Sequence, residues 1–203
     1  MGGRRNKRAA RCIGCRMHLG RCICDRIPSV TSRARWLVVQ HYKEGGKTTN
    51  TGRLAALGIA DAATATFRSR VGPLDPPALV QGPAWVLFPD EHAVTPESLP
   101  KDGPLTLVIP DGTWPQARKI VRVDALRDLP RVGLPADAKK RWELRTEGRP
   151  GGMSTLDAVC WLLRAIDGEA AAAPLEALAR TMWERTIVSR GVPVPSPEPD
   201  PAP

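Results

Sequence analysis

Three short stretches carry residues able to do chemistry. In "CIGCRMHLGRCIC", Cys12, Cys15, Cys22 and Cys24 fall as C-x2-C-x6-C-x-C. Four thiolates this close in sequence can surround one tetrahedral zinc, with the first pair turning about Gly14. Disulfides are the rival, but the cytoplasmic context expected for this chain disfavours them, and two cysteines one residue apart rarely bridge. His18 lies inside the loop, although the four cysteines already complete the set. A site closed by four thiolates has no open position and is structural rather than catalytic.

In "LVIPDGTWPQARKI" an apolar strand runs into Asp111, and Pro115 stands where the first turn of a helix would begin. A carboxylate at that junction can accept a proton or orient a ligand. Asp111 or Thr113 can equally cap the helix, with Trp114 as core packing. The third stretch, "QHYKEGGKTTNTGRL", has Gly46-Lys47-Thr48 between an apolar run and a helical pattern, which is nearly a nucleotide-binding P-loop. A P-loop requires G-x4-G-K-[ST], and His41 occupies the place of the first glycine. What remains is a turn before a helix, capped by Asn50 or Thr51, with Lys47 and Arg53 nearby.

The elements that must position these residues alternate. Strands are expected at Trp36–Gln40, Trp85–Phe88 and Leu105–Ile109, with a weaker one near Thr64–Arg68. Helices are expected at Asn50–Leu57, Pro115–Val123, Thr155–Ile166 and Leu175–Ser189. Such alternation predicts an α/β domain on a mostly parallel sheet, whose ligands sit beyond the strand C-termini. Segments 41–50, 89–93 and 110–114 are then the places to look. In the third helix Leu156, Val159, Cys160, Leu163 and Ile166 mark a buried face, which makes Cys160 an inert core thiol. "GRPGGMST" leads into that helix, where Ser154 and Asp157 resemble a capping box, and a glycine-rich helix start is also an anion site.

Charge divides the chain. The net charge is +9, and residues 1–35 hold ten Arg and Lys against Asp25 alone, while the remainder carries twenty of each sign. A basic patch interleaved with a metal-type cysteine motif points to nucleic acid. No apolar run reaches the roughly 20 residues of a membrane span, and the basic N-terminus has no apolar segment behind it, so a soluble cytoplasmic protein is expected. Three regions follow: a basic arm and four-cysteine module at 1–30, an α/β catalytic domain at 31–191, and a Pro-rich tail, "VPVPSPEPDPAP", read as disordered at 192–203.

Taken together, five motifs resemble the DTW-domain family of tRNA-uridine aminocarboxypropyltransferases. They are the cysteine pattern, "TNTGRL" at 49–54, "LFPDE" at 87–91, "DGTW" at 111–114 and "STLDA" at 154–158, where Asp157 stands for the usual Glu. The resemblance runs in order from about residue 10 to 190. It implies a fold similar to the SPOUT class, with a knotted C-terminal part. It also implies S-adenosylmethionine as donor, N3 of a tRNA uridine as acceptor, the 3-amino-3-carboxypropyl chain as the transferred group and 5′-methylthioadenosine as by-product.

The resemblance further implies roles for individual residues. Asp111 would be the base, with Thr113 and Trp114 beside it. Leu87, Phe88, Pro89, Ile109 and Pro110 would cradle the adenosine, and Gly152, Ser154 and Thr155 would face the donor's carboxylate. Arg16, Arg21, Lys47, Asn50, Arg53, Arg118 and Arg145 would contact RNA. His41 and Thr51 would lie near the site, and His92 has no assigned part. No protein partner is implied. An RNA methyltransferase of the same fold and a non-catalytic zinc-dependent RNA-binding module are the alternatives.

Overall fold

The apolar runs become the centre of a five-stranded sheet whose strand pairings, among the described residues, are all parallel. A computed structural model describes residues 10–67, 80, 82–136, 138 and 153–191. Gly152, Arg145, Arg4, Arg5, Arg8 and the Pro-rich tail lie outside the described residues. The elements run β1 (Arg35–His41), α1 (Thr51–Gly58), β2 (Ala63–Phe67), β3 (Ala84–Leu87), β4 (Thr106–Asp111), α2 (Trp114–Ile120), α3 (Asp124–Arg127), β5 (Arg131–Val132), α4 (Thr155–Asp167) and α5 (Glu169–Val188). Strand order across the sheet is β2-β1-β4-β3-β5. The two longest apolar strands, β1 and β4, are therefore neighbours, paired from Arg35 opposite Thr106 to Gln40 opposite Asp111.

Helices cover both faces, so these strands read as continuous apolar runs rather than alternating ones. Trp36, Val38, Leu107 and Ile109 point into the larger core with α1, α4 and α5. Leu37, Val39 and Val108 point the other way, into a smaller core with Ile120, Val121 and Leu126. Helix α4 packs on both α5 and α1. Its start is fixed by Ser154, whose Oγ accepts from the Asp157 backbone N–H at 3.1 Å. It ends at Gly168, whose φ of 88° belongs to the left-handed region that glycine adopts without strain. Cys160 is 3% exposed within this core, as its spacing predicted.

Three differences from the expected elements appear, two of them with a physical cause. Helix α5 begins six residues early, because Ala170–Ala173 are strong helix formers and Ala172 is fully buried, which outweighs one backbone bond lost at Pro174. Strand β5 has two residues and α3 has four, too short for any periodic signal. Helix α2 ends at Ile120 rather than Val123. No helix among the described residues is long and apolar enough to cross a membrane.

The cysteine segment does not stand off from the sheet. Cys15, Met17 and Ile23 are 3%, 5% and 0% exposed and belong to the same core as α1, α4 and α5. Arg185 of α5 ties it down further by donating from Nη1 to the Cys22 carbonyl at 2.7 Å. Ile23→Ala is therefore expected to cost about 2–5 kcal/mol, the range for truncating a buried isoleucine. That loss should fall on one cooperative unfolding transition of the chain in urea, not on a separate early step.

Candidate functional site

The C-terminal ends of β3 and β4 and the starts of α2 and α4 enclose a cavity of about 730 Å³. It lies at the sheet edge where parallel α/β folds hold their ligands. Asp111 closes β4 and is 3% exposed. A carboxyl group buried this far is costly unless donors meet its oxygens. Three do. Thr155, the first residue of α4, donates from Oγ1 to Oδ1 at 2.7 Å. Asn50, the cap of α1, donates from Nδ2 to Oδ2 at 2.5 Å. Gln40, near the end of β1, donates from Nε2 to Oδ2 at 3.2 Å.

The amides are themselves held. Asn50 Oδ1 accepts from Gln40 Nε2 at 2.9 Å and from the Arg53 backbone N–H at 2.8 Å. Gly52 lies against the carboxylate, where an added Cβ would sit 2.2 Å from Asp111 Cγ. Only a residue without a side chain allows α1 to approach β4 this closely.

Around this centre the predicted residues gather unevenly. Leu87, Phe88, Pro89, Ile109 and Pro110 line the cavity, as do Ser154 and Thr155. Thr113 and Trp114 line it too, and the Trp114 ring meets Phe88 edge-on with centroids 5.9 Å apart. The Thr113 backbone N–H donates to Gln116 Oε1 at 2.7 Å, which secures the start of α2. Arg118 is exposed on the cavity rim. Asp157 is 7% exposed and accepts the Ser154 hydroxyl at 2.8 Å, so its carboxylate is engaged in the cap of α4.

Asn50 departs from its expected place. It is 2% exposed and turned onto Asp111, so it is not available to an RNA phosphate. Arg53 and Lys47 are turned onto the loop after β1, Arg53 donating to the Gly45 carbonyl at 2.6 Å and Lys47 to Glu44 Oε1 at 2.5 Å. Arg16 and Arg21 sit half-buried in the cysteine segment. His41 is 4% exposed, its Nδ1 accepting from the Lys43 backbone N–H, and Thr51 lines the cavity. His92 is exposed beside Glu91.

Two residues escaped the sequence reading. Glu44 is 1% exposed yet reaches the cavity wall, and Gln40 completes the Asp111 cradle. The available signal was position alone, since both lie at or just after the C-terminal end of β1.

The four cysteines converge as their spacing predicted. Their sulfurs all lie within 4.8 Å of one another, with Cys12 and Cys24 at 3.5 Å and Cys15 and Cys22 at 3.8 Å. A tetrahedral ion with Zn–S bonds of about 2.3 Å spaces its sulfurs at about 3.8 Å, so the group fits one metal. Hydrogen bonds led by the Cys15 backbone N–H lower the Cys12 thiol to about 6. Desolvation, followed by the Cys12 and Cys22 thiols, pushes Cys24 up to about 12.

Two outcomes are expected. Gly52→Ala should displace the Asp111 carboxylate and cost about 1–3 kcal/mol in thermal unfolding, as overpacking does. Gly46→Ala, which meets nothing within 4 Å, should leave the melt unchanged. Second, zinc titration should give one equivalent per chain with proton release. Because Cys24 holds its proton up to about 12 and the Cys22 thiol is raised as well, at least two protons must leave on binding between about pH 7 and 9, and metal affinity should rise at least about a hundredfold per pH unit there.

Sequence comparison adds a kinship to this geometry. The chain is 28% identical over 176 residues to tRNA-uridine aminocarboxypropyltransferase 2 of Drosophila melanogaster, a stretch covering 81% of this chain and 68% of that protein. No solved structure matches it. The DTW domain matches residues 9–187, from just before the first metal-type cysteine to the penultimate residue of α5. With a match of that span taking in the cysteine cluster, the Asp111 cradle and the cavity walls alike, the chain belongs to the DTW-domain family.

Proposed function

We propose that this protein transfers the 3-amino-3-carboxypropyl group of S-adenosylmethionine to N3 of a uridine in tRNA, releasing 5′-methylthioadenosine. The observation that carries the reading is the cavity at the sheet edge, lined by residues of the 87–91, 111–114 and 154–158 motifs around a buried and fully oriented Asp111. The name of the Drosophila relative supports the same reaction and the same class of acceptor. The reading takes the sheet as SPOUT-like with a C-terminal knot, the four-cysteine cluster as structural zinc in a module at 1–30, and the cytoplasm as the place of work.

The chemistry suits the residues. A sulfonium activates all three attached carbons, so the enzyme must select which one the nucleophile approaches in line, and that is a problem of positioning. Phe88 and Trp114 offer flat apolar walls for a planar base. The uracil N3–H must lose its proton as the new C–N bond forms and the C–S bond breaks. A carboxylate has about four lone-pair sites, and among the described residues three donors reach Asp111, so one site serves that proton. Asn50 then acts as a positioning residue for Asp111 rather than as an RNA contact. Ser154 and Thr155 would face the donor's carboxylate at the start of α4, where backbone N–H groups favour an anion.

Nucleoside mass spectrometry of tRNA incubated with the purified protein and S-adenosylmethionine tests the proposal. The expected product is aminocarboxypropyl-uridine. Asp111→Ala should lower the transfer rate about 10²–10⁴-fold, the usual worth of a general base, with tRNA affinity unchanged. A product heavier by one methyl group would instead make the protein a methyltransferase, and tRNA binding without any product would make it a binding module.

A further inference from the structure

The register of the sheet builds an aromatic column beside the cavity. At their carboxyl ends β1 and β2 pair His41 with Phe67, and the two rings meet edge-on with centroids 5.7 Å apart. Tyr42, the next residue, stacks its ring on His41 at 4.9 Å with an interplanar angle of 30°. The column passes from the core to solvent, since Phe67 and His41 are 8% and 4% exposed and Tyr42 is 48% exposed. The imidazole at its centre is held, because Nδ1 accepts from the Lys43 backbone N–H at 3.3 Å.

A single exposed tyrosine needs no explanation, but three features set this one apart. It rests on a ring that is itself fixed, so a second ring laid on it would cost little further ordering. The exposed Lys43 places its ammonium 5.8 Å from the Tyr42 ring centroid, within cation–π range, and gives the aromatic surface a positive border. The column also adjoins the site. Gly112, which follows Asp111 and lines the cavity, would bring an added Cβ within 3.5 Å of His41 Cβ. Gln40, directly before His41, donates to Asp111.

A flat aromatic surface with a cation beside it fits a chain that carries both planar groups and negative charge. Single-stranded RNA is such a chain, and its unpaired bases are commonly laid on aromatic side chains. An acidic peptide would meet Lys43 and leave the ring uncovered. We propose that Tyr42, backed by His41, is a stacking platform for an unpaired base of the RNA acceptor, next to the uridine that enters the cavity. The assignment rests on the reading that the acceptor is RNA. A base held there anchors the strand beside Gly112 and presents the neighbouring nucleotide to Asp111.

The test measures affinity of the full-length, metal-loaded protein for bulk tRNA and for a fully paired RNA duplex across a salt series, with no donor present. Tyr42→Ala should weaken tRNA binding about fivefold to a hundredfold, the usual worth of one stacked base. The slope of log K against log salt should stay as in the wild type, because no phosphate contact is lost. Tyr42→Phe and Tyr42→Trp should keep wild-type affinity, since each offers a π face. Tyr42→Leu keeps apolar cover over His41 without that face and should lose as much as Tyr42→Ala. It carries the test if the Ala variant melts early. Duplex affinity should be the same in every variant, because paired bases already stack on one another.

Wild-type tRNA affinity in the Ala and Leu variants would overturn the platform. So would a Phe variant as weak as the Ala variant, which would make the hydroxyl the contact, or a reduced salt slope, or an equal loss on the duplex. The platform and the transfer fail separately. Aminocarboxypropyl-uridine formed by the wild type, with Tyr42→Ala binding tRNA as the wild type does, would sink the platform alone. Stacking that behaves as expected alongside absent transfer would sink only the proposed reaction.

Discussion

The buried carboxylate of Asp111 organises the molecule around it. A carboxyl group 3% exposed is tolerated only where donors replace water, and here the three donors come from three separate elements. Gln40 belongs to β1, Asn50 to the cap of α1 and Thr155 to the first residue of α4. Satisfying one side chain therefore fixes the ends of β1 and β4 and the starts of α1 and α4 relative to one another. The cavity is a consequence, because its walls are the segments that this arrangement holds open. Gly52 is the steric counterpart of the same constraint, since α1 reaches the carboxylate only where no Cβ intervenes.

The cysteine segment is joined to this centre through packing rather than through a linker. Ile23 is fully buried in the core that also holds Leu54 of α1 and Leu163 of α4. A metal held by Cys12, Cys15, Cys22 and Cys24 would thus stiffen a segment that lies against α1, and through α1 the cradle of Asp111. The contacts of Arg11 and Arg53 with the carbonyls of Gly46 and Gly45 extend the coupling to the loop that bears Glu44. A short basic segment without a core of its own gains a defined shape this way, which a tail of scattered arginines would not have.

What the sequence disclosed follows from what burial writes into it. The strands β1 and β4 were legible because helices cover both faces of the sheet and leave the apolar runs "WLVV" and "LVI". The metal-type cluster was legible because its ligands are local in sequence. Asp111 was legible as a carboxylate at a strand end. The partners of Asp111 were not, since they lie 71, 61 and 44 residues away and no periodicity reports which distant side chain meets which. Asn50 shows the difficulty most plainly. An asparagine beside Lys47 and Arg53 in a Gly- and Thr-rich turn reads as a helix cap, and it is one, but no pattern shows that it is 2% exposed with its amide turned onto Asp111. The two-residue β5 left no pattern at all.

A residue clamped by three donors is an unusual choice if its main task were to be a strong base, and that tension bears on the proposed transfer. A sulfonium is already an activated electrophile, and its three carbons compete. The harder requirement is to hold one carbon in line with uracil N3 and the other two out of line. Well-oriented intramolecular reactions gain about 7–11 kcal/mol from such positioning, whereas general-base help supplies about 10²–10⁴ in rate. In the proposed transfer, a carboxylate held by three donors among the described residues would meet the larger demand first, by fixing the direction from which N3–H approaches, and would still give the departing proton a place to go. In that transfer the donors from Gln40, Asn50 and Thr155 would not compete with catalysis, because the orientation they impose would be the larger part of it.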